Sequence, residues 1–444
     1  PSQQEINVNS EELKYQFSLL EGEIDKLIAD GNMIGPDHYQ RLNERLKSFE
    51  DKIAQNKINE LRQKLDSLNP KKFIAERHAE PEAQQNTQKI TTGLLSPRGC
   101  EGTGSVMLGT SPIDLEDLQK ILPMGVMSSV HITPTDHQYF HTIGYFGPSE
   151  DTENLDRFKI YAPADGYIVD IEKGTDHRIV IEYSCTFYTI FIHVDRLSEN
   201  ILSNVNFKKD TSREHAWPRI PVKEGEVIGT IGIGKFDFSV VDENVTLKGF
   251  AKPESYQSEP WKIHTVDTFY YFKEPVRSKL LEKNIRKAAP QGGKIDYDID
   301  GKLVGNWFLQ NTDGYKGLGN DNYWTSHLSI VYDALDPEHI LVSIGDFGGR
   351  GNQFGVTGNA PNPKDVGVGT LVKYELVIYD YYAGNEKWSG IPYAEKLQAR
   401  NTNEVRGTSL FELLDSRNLK AEFFVGKKAS EVSGFTGNAK FYER

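Results

Sequence analysis

The sequence predicts a mainly β, multidomain protein with an N-terminal α-helical hairpin of coiled-coil type, and three observations carry that prediction. Between residues 160 and 242 apolar and polar residues alternate, as at Tyr167, Val169 and Ile171 and again at Ile179, Ile181 and Tyr183. This is the period of half-buried strands. The first seventy residues instead place Leu13, Phe17, Leu20, Ile24 and Leu27 at steps of four and three, the seam of packed helices. Beyond Gly292 and Gly293, short apolar runs separated by Gly, Asn and Asp turns predict an antiparallel barrel or sandwich.

Taken in order, residues 1–70 form the hairpin. Ser10 caps the first helix, and Gly31, Asn32, Gly35, Pro36 and Asp37 break it. A second seam follows at Tyr39, Leu42, Leu46, Phe49 and Ile53, resumes after a slip at Ile58, Leu61, Leu65 and Leu68, and stops at Pro70. Two helices have little core of their own, so the seams are expected to meet another chain, by self-association or through a partner helix, or to pack on the β-domains. Residues 71–120 lack periodicity and read as a linker, with a short helix beginning at Ile113 and ending near Pro123. A β-domain occupies 121–275. The C-terminal region, 276–444, has candidate strands at 302–309, 327–332, 340–344, 370–379, 420–425 and 439–442. Residues 348–369 form a long Gly-rich loop between them.

Composition narrows the function classes. A net charge of −13 argues against nucleic acid, whose phosphates require a basic surface. No apolar run approaches the roughly 20 residues a membrane-spanning helix needs. The chain begins at Pro1 without an apolar leader, as expected of a processed or exported chain. Cys100 and Cys185 are either two buried thiols or one disulfide tying the linker to the β-domain.

The punctuation of the central stretch is specific. IYAPADGYIVDIEKGTDHRIVIEY (160–183) is an Ala-Pro-x-Asp-Gly turn and a hairpin, and TIFIHVD (189–195) is an aromatic strand ending in a lone His. A Val-x-x-Gly-x-x-Ile-Gly turn and another strand complete the order (222–242). In this the segment from His137 to Asp242 resembles the lysostaphin/LytM-like zinc endopeptidases, which cut peptide cross-bridges and share the duplicated-hybrid-motif β-fold. The resemblance implies one zinc held by two histidines and an aspartate, with further histidines placing the water. That leaves an open metal position and lowers the water's pKa to about 7.

Carried onto this chain, His141 stands at the first ligand, Tyr145 where the aspartate belongs, and His193 at the lone His. Phe236, Asp237 and Phe238 occupy the closing His-x-His. His141 and His193 are thus remnant candidates. Tyr145, His193, Phe236, Asp237 and Phe238 define a degenerate groove, with both phenylalanine rings expected inside it. His131, His137, His141, His177 and Asp237 remain as donors for a different metal set.

Asp296, Asp298 and Asp300, followed by Gly301, resemble the start of a calcium loop, but Trp307 takes the place of its closing Glu. No nucleophile elbow and no phosphate-binding loop is present. The expectation is an exported or cell-surface, non-catalytic binding or assembly protein built on a degenerate endopeptidase domain, with a protein, peptide or glycan ligand. A zinc endopeptidase with unorthodox ligands is the alternative, and a structural component of a surface layer or filament a further one. No cofactor is required by the first reading, whereas zinc or calcium belongs to the others.

Overall fold

The computed structural model describes residues 93–96, 98–145, 154–210, 213–319, 322–390 and 396–444. It also describes 36–50, 52–68 and part of 13–25 near the N-terminus. The chain divides into two compact units, Pro1–Gln88 and Lys89–Arg444.

In the first unit, helix α1 (Pro36–Lys47) and helix α2 (Gln55–Ser67) are described. Leu42, Leu46, Ile58, Leu61 and Leu65 share one apolar cluster with Phe17, Leu20 and Ile24. The slip in the second seam is a helix end: Ser48 and Phe49 donate to carbonyls only three residues back, tightening the last turn. Of the expected break, Gly31, Asn32 and Gly35 lie outside the described residues, while Pro36 and Asp37 open α1.

The second unit is mainly β and holds two large cores. In the first half, β1 (Leu118–Leu122), β2 (Gln138–Thr142), β3 (Gly166–Lys173), β4 (His177–Ser184), β5 (Phe187–Val194) and β6 (Lys235–Asp242) form one antiparallel sheet. Their spatial order is β1-β2-β6-β5-β4-β3. A smaller sheet of Phe158–Tyr161, Val227–Ile231 and Arg196–Leu197 covers one face. Phe140, Ile168, Ile179, Phe191, Phe236 and Phe238 pack there against Ile160, Leu197 and Ile228.

Two expectations for the linker are corrected. The short helix after Ile113 is strand β1, because Leu118 and Ile121 reach the core while the backbone pairs with β2. Residues 93–96 and 98–117 lie on the β-domain, with Leu95, Leu108 and Ile113 buried, and Cys100 is bridged to Cys185.

The C-terminal half is a closed barrel and not a sandwich. Its strands are β7 (Gly305–Leu309), β8 (His327–Tyr332), β9 (Ile340–Ile344), β10 (Asn352–Val356), β11 (Leu371–Ala383), β12 (Gln398–Leu413), β13 (Asn418–Val425) and β14 (Lys440–Glu443). The order β10-β9-β8-β7-β14-β13-β12-β11 closes where Gly355 and Val356 pair with Val377 and Leu376. The expected loop over 348–369 therefore contains the closing strand, whose glycine and short length hide it from a period-two search. Trp307 fills the barrel interior, its Nε1 donating to the Leu303 carbonyl at 3.0 Å under the Arg444 guanidinium.

The two halves meet in an aromatic cluster in which Met124, Phe250 and Tyr256 pack on Phe308 and Tyr315. That contact places Tyr315 and Tyr323 of the barrel beside the sheet of the first half.

Candidate functional site

A cleft of about 1230 Å³ opens on the sheet face opposite the main core. The period of two along β6 decides which side chains enter it. Phe236 and Phe238 are fully buried among Phe140 and Phe191, whereas Asp237 and Ser239 between and beyond them line the cleft. The expectation that both rings fill the groove is thereby corrected: the register differs by one residue, and a one-residue slip exchanges the faces of a strand.

Asp237 lies beside Tyr139 on β2 and Ile192 on β5. His137, just ahead of β2, brings Nε2 to 3.3 Å from Asp237 Oδ2. His193 brings Nε2 to 3.5 Å from the same oxygen. The β4–β5 register shifts between His177 and Ile179, and His193 adopts φ of +67°. A bulge of this kind re-aims a side chain at a strand end, and here the ring turns to Asp176 and Asp237.

Both imidazoles are held from behind. His137 Nδ1 lies 3.2 Å from Asp136 Oδ1, and His193 Nδ1 lies 2.6 Å from Asp176 Oδ2. Asp136 also accepts from Trp261 Nε1 at 2.9 Å and pairs with the buried Lys262 ammonium at 3.0 Å. Burial opposes charge on Asp136, yet Lys262 and His137 hold its carboxyl below the usual range. Burial likewise opposes charge on His193, and the Asp176 hydrogen bond with the Asp237 and Asp176 charges raises its pKa regardless. His131, whose ring stands 5.7 Å from that of His137, is pushed down to about 4 by burial and then by His137.

Four buried atoms lining this cleft have no hydrogen-bond partner: His137 Nε2, Asp170 Oδ1, Arg178 Nη2 and Asp237 Oδ1. Buried polar atoms are nearly always satisfied, so four along one cleft single it out as the candidate site. Trp217, Trp261, Tyr315 and Tyr323 supply aromatic wall.

The remnant pair His141 and His193 is not brought together. His141 is buried at the far end of β2, 5.0 Å ring to ring from Tyr145, and neither residue lines the cleft. Burial, then Lys120 and Lys235, push the His141 pKa down to about 3. A cationic surrounding with an aromatic neighbour does not fit a zinc ligand, so the ligand positions implied by the resemblance do not form a metal site.

Asp296, Asp298 and Asp300 also diverge. Asp296 pairs with Lys294 and accepts from the Gly249 amide. Asp298 accepts from the Ala251 and Asn306 amides. Asp300 pairs with Arg417 at 2.7 Å. Each has its own structural partner, and the calcium cage expected there is not assembled.

Among the described residues, no three His, Cys, Asp or Glu side chains already gather their donors around one point. No helix of the described residues is long and apolar enough to cross a membrane. Asp136, Asp176, Lys262 and Trp261 were not legible as site residues, since nothing in their local sequence marks them. No family model matches the chain, and no curated protein matches it.

Proposed function

We propose that this is an exported or cell-surface binding and assembly protein whose cleft holds an extended peptide or glycan segment without cleaving it. The observation that carries this reading is the cleft floor, with its unpartnered donor and acceptor atoms beside four aromatic rings. At about 1230 Å³ the cleft exceeds the roughly 300–1,000 Å³ usual for small-molecule pockets, which favours a polymer segment. The positions that the endopeptidase resemblance equates with zinc ligands lie in the core or beside Tyr145. The Cys100–Cys185 bridge supports an oxidising compartment.

A second reading, hydrolysis with unorthodox ligands, is favoured by the two imidazoles facing Asp237. One experiment separates the two. The full chain is incubated with cross-bridge peptides and with glycan fragments, followed by calorimetry for binding and mass spectrometry for products. Saturable binding with intact ligand is expected, and Trp261→Ala should weaken it. Chelator-sensitive product formation would replace the first reading by the second, and binding of neither polymer class would end both.

A further inference from the structure

We propose that the cleft binds an uncharged saccharide chain, holding a ring hydroxyl between Asp170 and Arg178 while Trp217 and Trp261 offer flat faces to sugar units. The inference rests on reading the cleft as a ligand site and deepens it, choosing glycan over peptide. None of these four residues stands at a position that the endopeptidase resemblance equates with a metal ligand.

The first argument is one of register. The pairing of β3 with β4 slips between Ile168 and Asp170. Ile168 and Ile171 therefore both enter the main core, while Val169 packs with Leu95 and Ile190 of the cleft lining and Asp170 joins that lining. In a regular strand Asp170 would share the face of Ile168. The bulge thus takes a carboxylate out of the core and sets it in the cleft wall.

The second argument is one of hydrogen bonds. Arg178 Nη1 donates to Asp170 Oδ2 at 2.8 Å, and that single bond holds the pair. Asp170 Oδ1 and Arg178 Nη2 are left without a hydrogen-bond partner. One acceptor and one donor thus remain on adjoining side chains. A hydroxyl answers both from a single oxygen, since it donates and accepts. A trans peptide unit points its N–H and C=O in opposite directions, so one unit cannot serve both. The Arg178 and Asp170 side chains are 14% and 17% exposed, and a small rotation of the guanidinium presents the free atoms to the cleft.

The third argument is one of surfaces. Arg178 lies over the Trp261 ring at 5.0 Å, and Trp261 is itself fixed by its Nε1 bond to Asp136. On the other side of β3, His215 pairs with Glu172, and its ring stacks on Trp217 at 5.8 Å with 12° between the planes. Both indoles are partly exposed and line the cleft. The C–H face of a sugar ring suits the negative face of an aromatic ring. Carboxylates outnumber Lys and Arg side chains in the lining, which disfavours uronic or sulfated chains.

The test uses the full chain and calorimetry with cello- and chito-oligosaccharides, a polyuronate oligomer and a cross-bridge peptide. Saturable binding of a neutral oligosaccharide is expected, and none of the polyuronate. Asp170→Asn and Arg178→Lys should each weaken it at least about tenfold, and Trp217→Ala at least about threefold. Phe441→Ala, which removes an exposed barrel ring outside the cleft, should leave it unchanged. If Asp170→Asn does not fold, Arg178→Lys decides, because it keeps a cation beside Asp170 and removes only the second nitrogen. Preference for the polyuronate, or saccharide binding that the Asp170, Arg178 and Trp217 variants leave intact, overturns the proposal. Peptide binding without saccharide binding sinks this inference alone, and binding of neither sinks the cleft reading with it.

Discussion

His137, just ahead of β2, and His141, near the other end of that strand, lie four residues apart, both buried, and the two ends treat them oppositely. At the first end every ring nitrogen faces a carboxylate, Asp136 on one side and Asp237 on the other. At the second end neither ring nitrogen has a hydrogen-bond partner, and the charges that bear on it are Lys120 and Lys235. The same residue type is therefore a carboxylate-flanked ring in one place and a neutral core ring in the other. What separates them is the neighbouring strand: β6 presents Asp237 to the first and Lys235 to the second. Spacing along one strand cannot report which charge the next strand supplies.

The largest effect should come from the support of the first end. Asp136→Ala leaves the Lys262 ammonium buried beside only Glu259 and removes an acceptor from His137 and Trp261. Breaking a buried ion pair from one side costs about 3–5 kcal/mol, readable as a fall in denaturant midpoint. A loss below about 1 kcal/mol would mean that this carboxylate is not what holds the site.

The second end should respond to pH. The folded pKa of His141, about 3, lies below its unfolded value of about 6.5, so its contribution to stability is present above pH 6.5 and is lost as pH falls toward 3. His141→Phe, close in volume, should change stability at pH 7 by less than about 1.5 kcal/mol and flatten the acid limb of melting temperature against pH. His131, at about 4, bends the curve in the same direction and remains in the variant. An acid limb identical to the parent's would show that His141 is not held neutral.

Smaller still is the stability effect expected of His193→Gln, within about 1 kcal/mol, since the ring is half exposed. A larger loss on thermal melting would make His193 a structural strut of the cleft floor. At the low end stand Asp296, Asp298 and Asp300. With an amide or a cation already on each, millimolar calcium should leave the melting temperature where it is, and a clear upward shift would show that the three carboxylates reorganise around the ion.

Local pattern made much of the architecture legible. Period-two runs marked β3, β4 and β5, and two of the barrel strands, β8 and β9, were located to the residue. Strand β10 escaped because its identity lies in pairing with β9 and β11, not in alternation of its own residues. In the same way β1 reads as a helix in the sequence, since Leu118 and Ile121 are three apart, and only the irregularity between Leu118 and Lys120 in its pairing with β2 lets both reach the core of a strand.

By itself the sequence determined the mainly β class, the acidic surface charge, the apolar seams of the N-terminal helices and the presence of His193 at a strand end. Those depend on residue type and near-neighbour spacing, which a chain carries whether folded or not. Only the tertiary structure decided that Asp237, and not the phenylalanines flanking it, enters the cleft. It alone brought His137 and His193 to one carboxylate and gave Asp296, Asp298 and Asp300 separate partners. Side-chain facing depends on register between strands distant in sequence, and a shift of one residue there inverts every face.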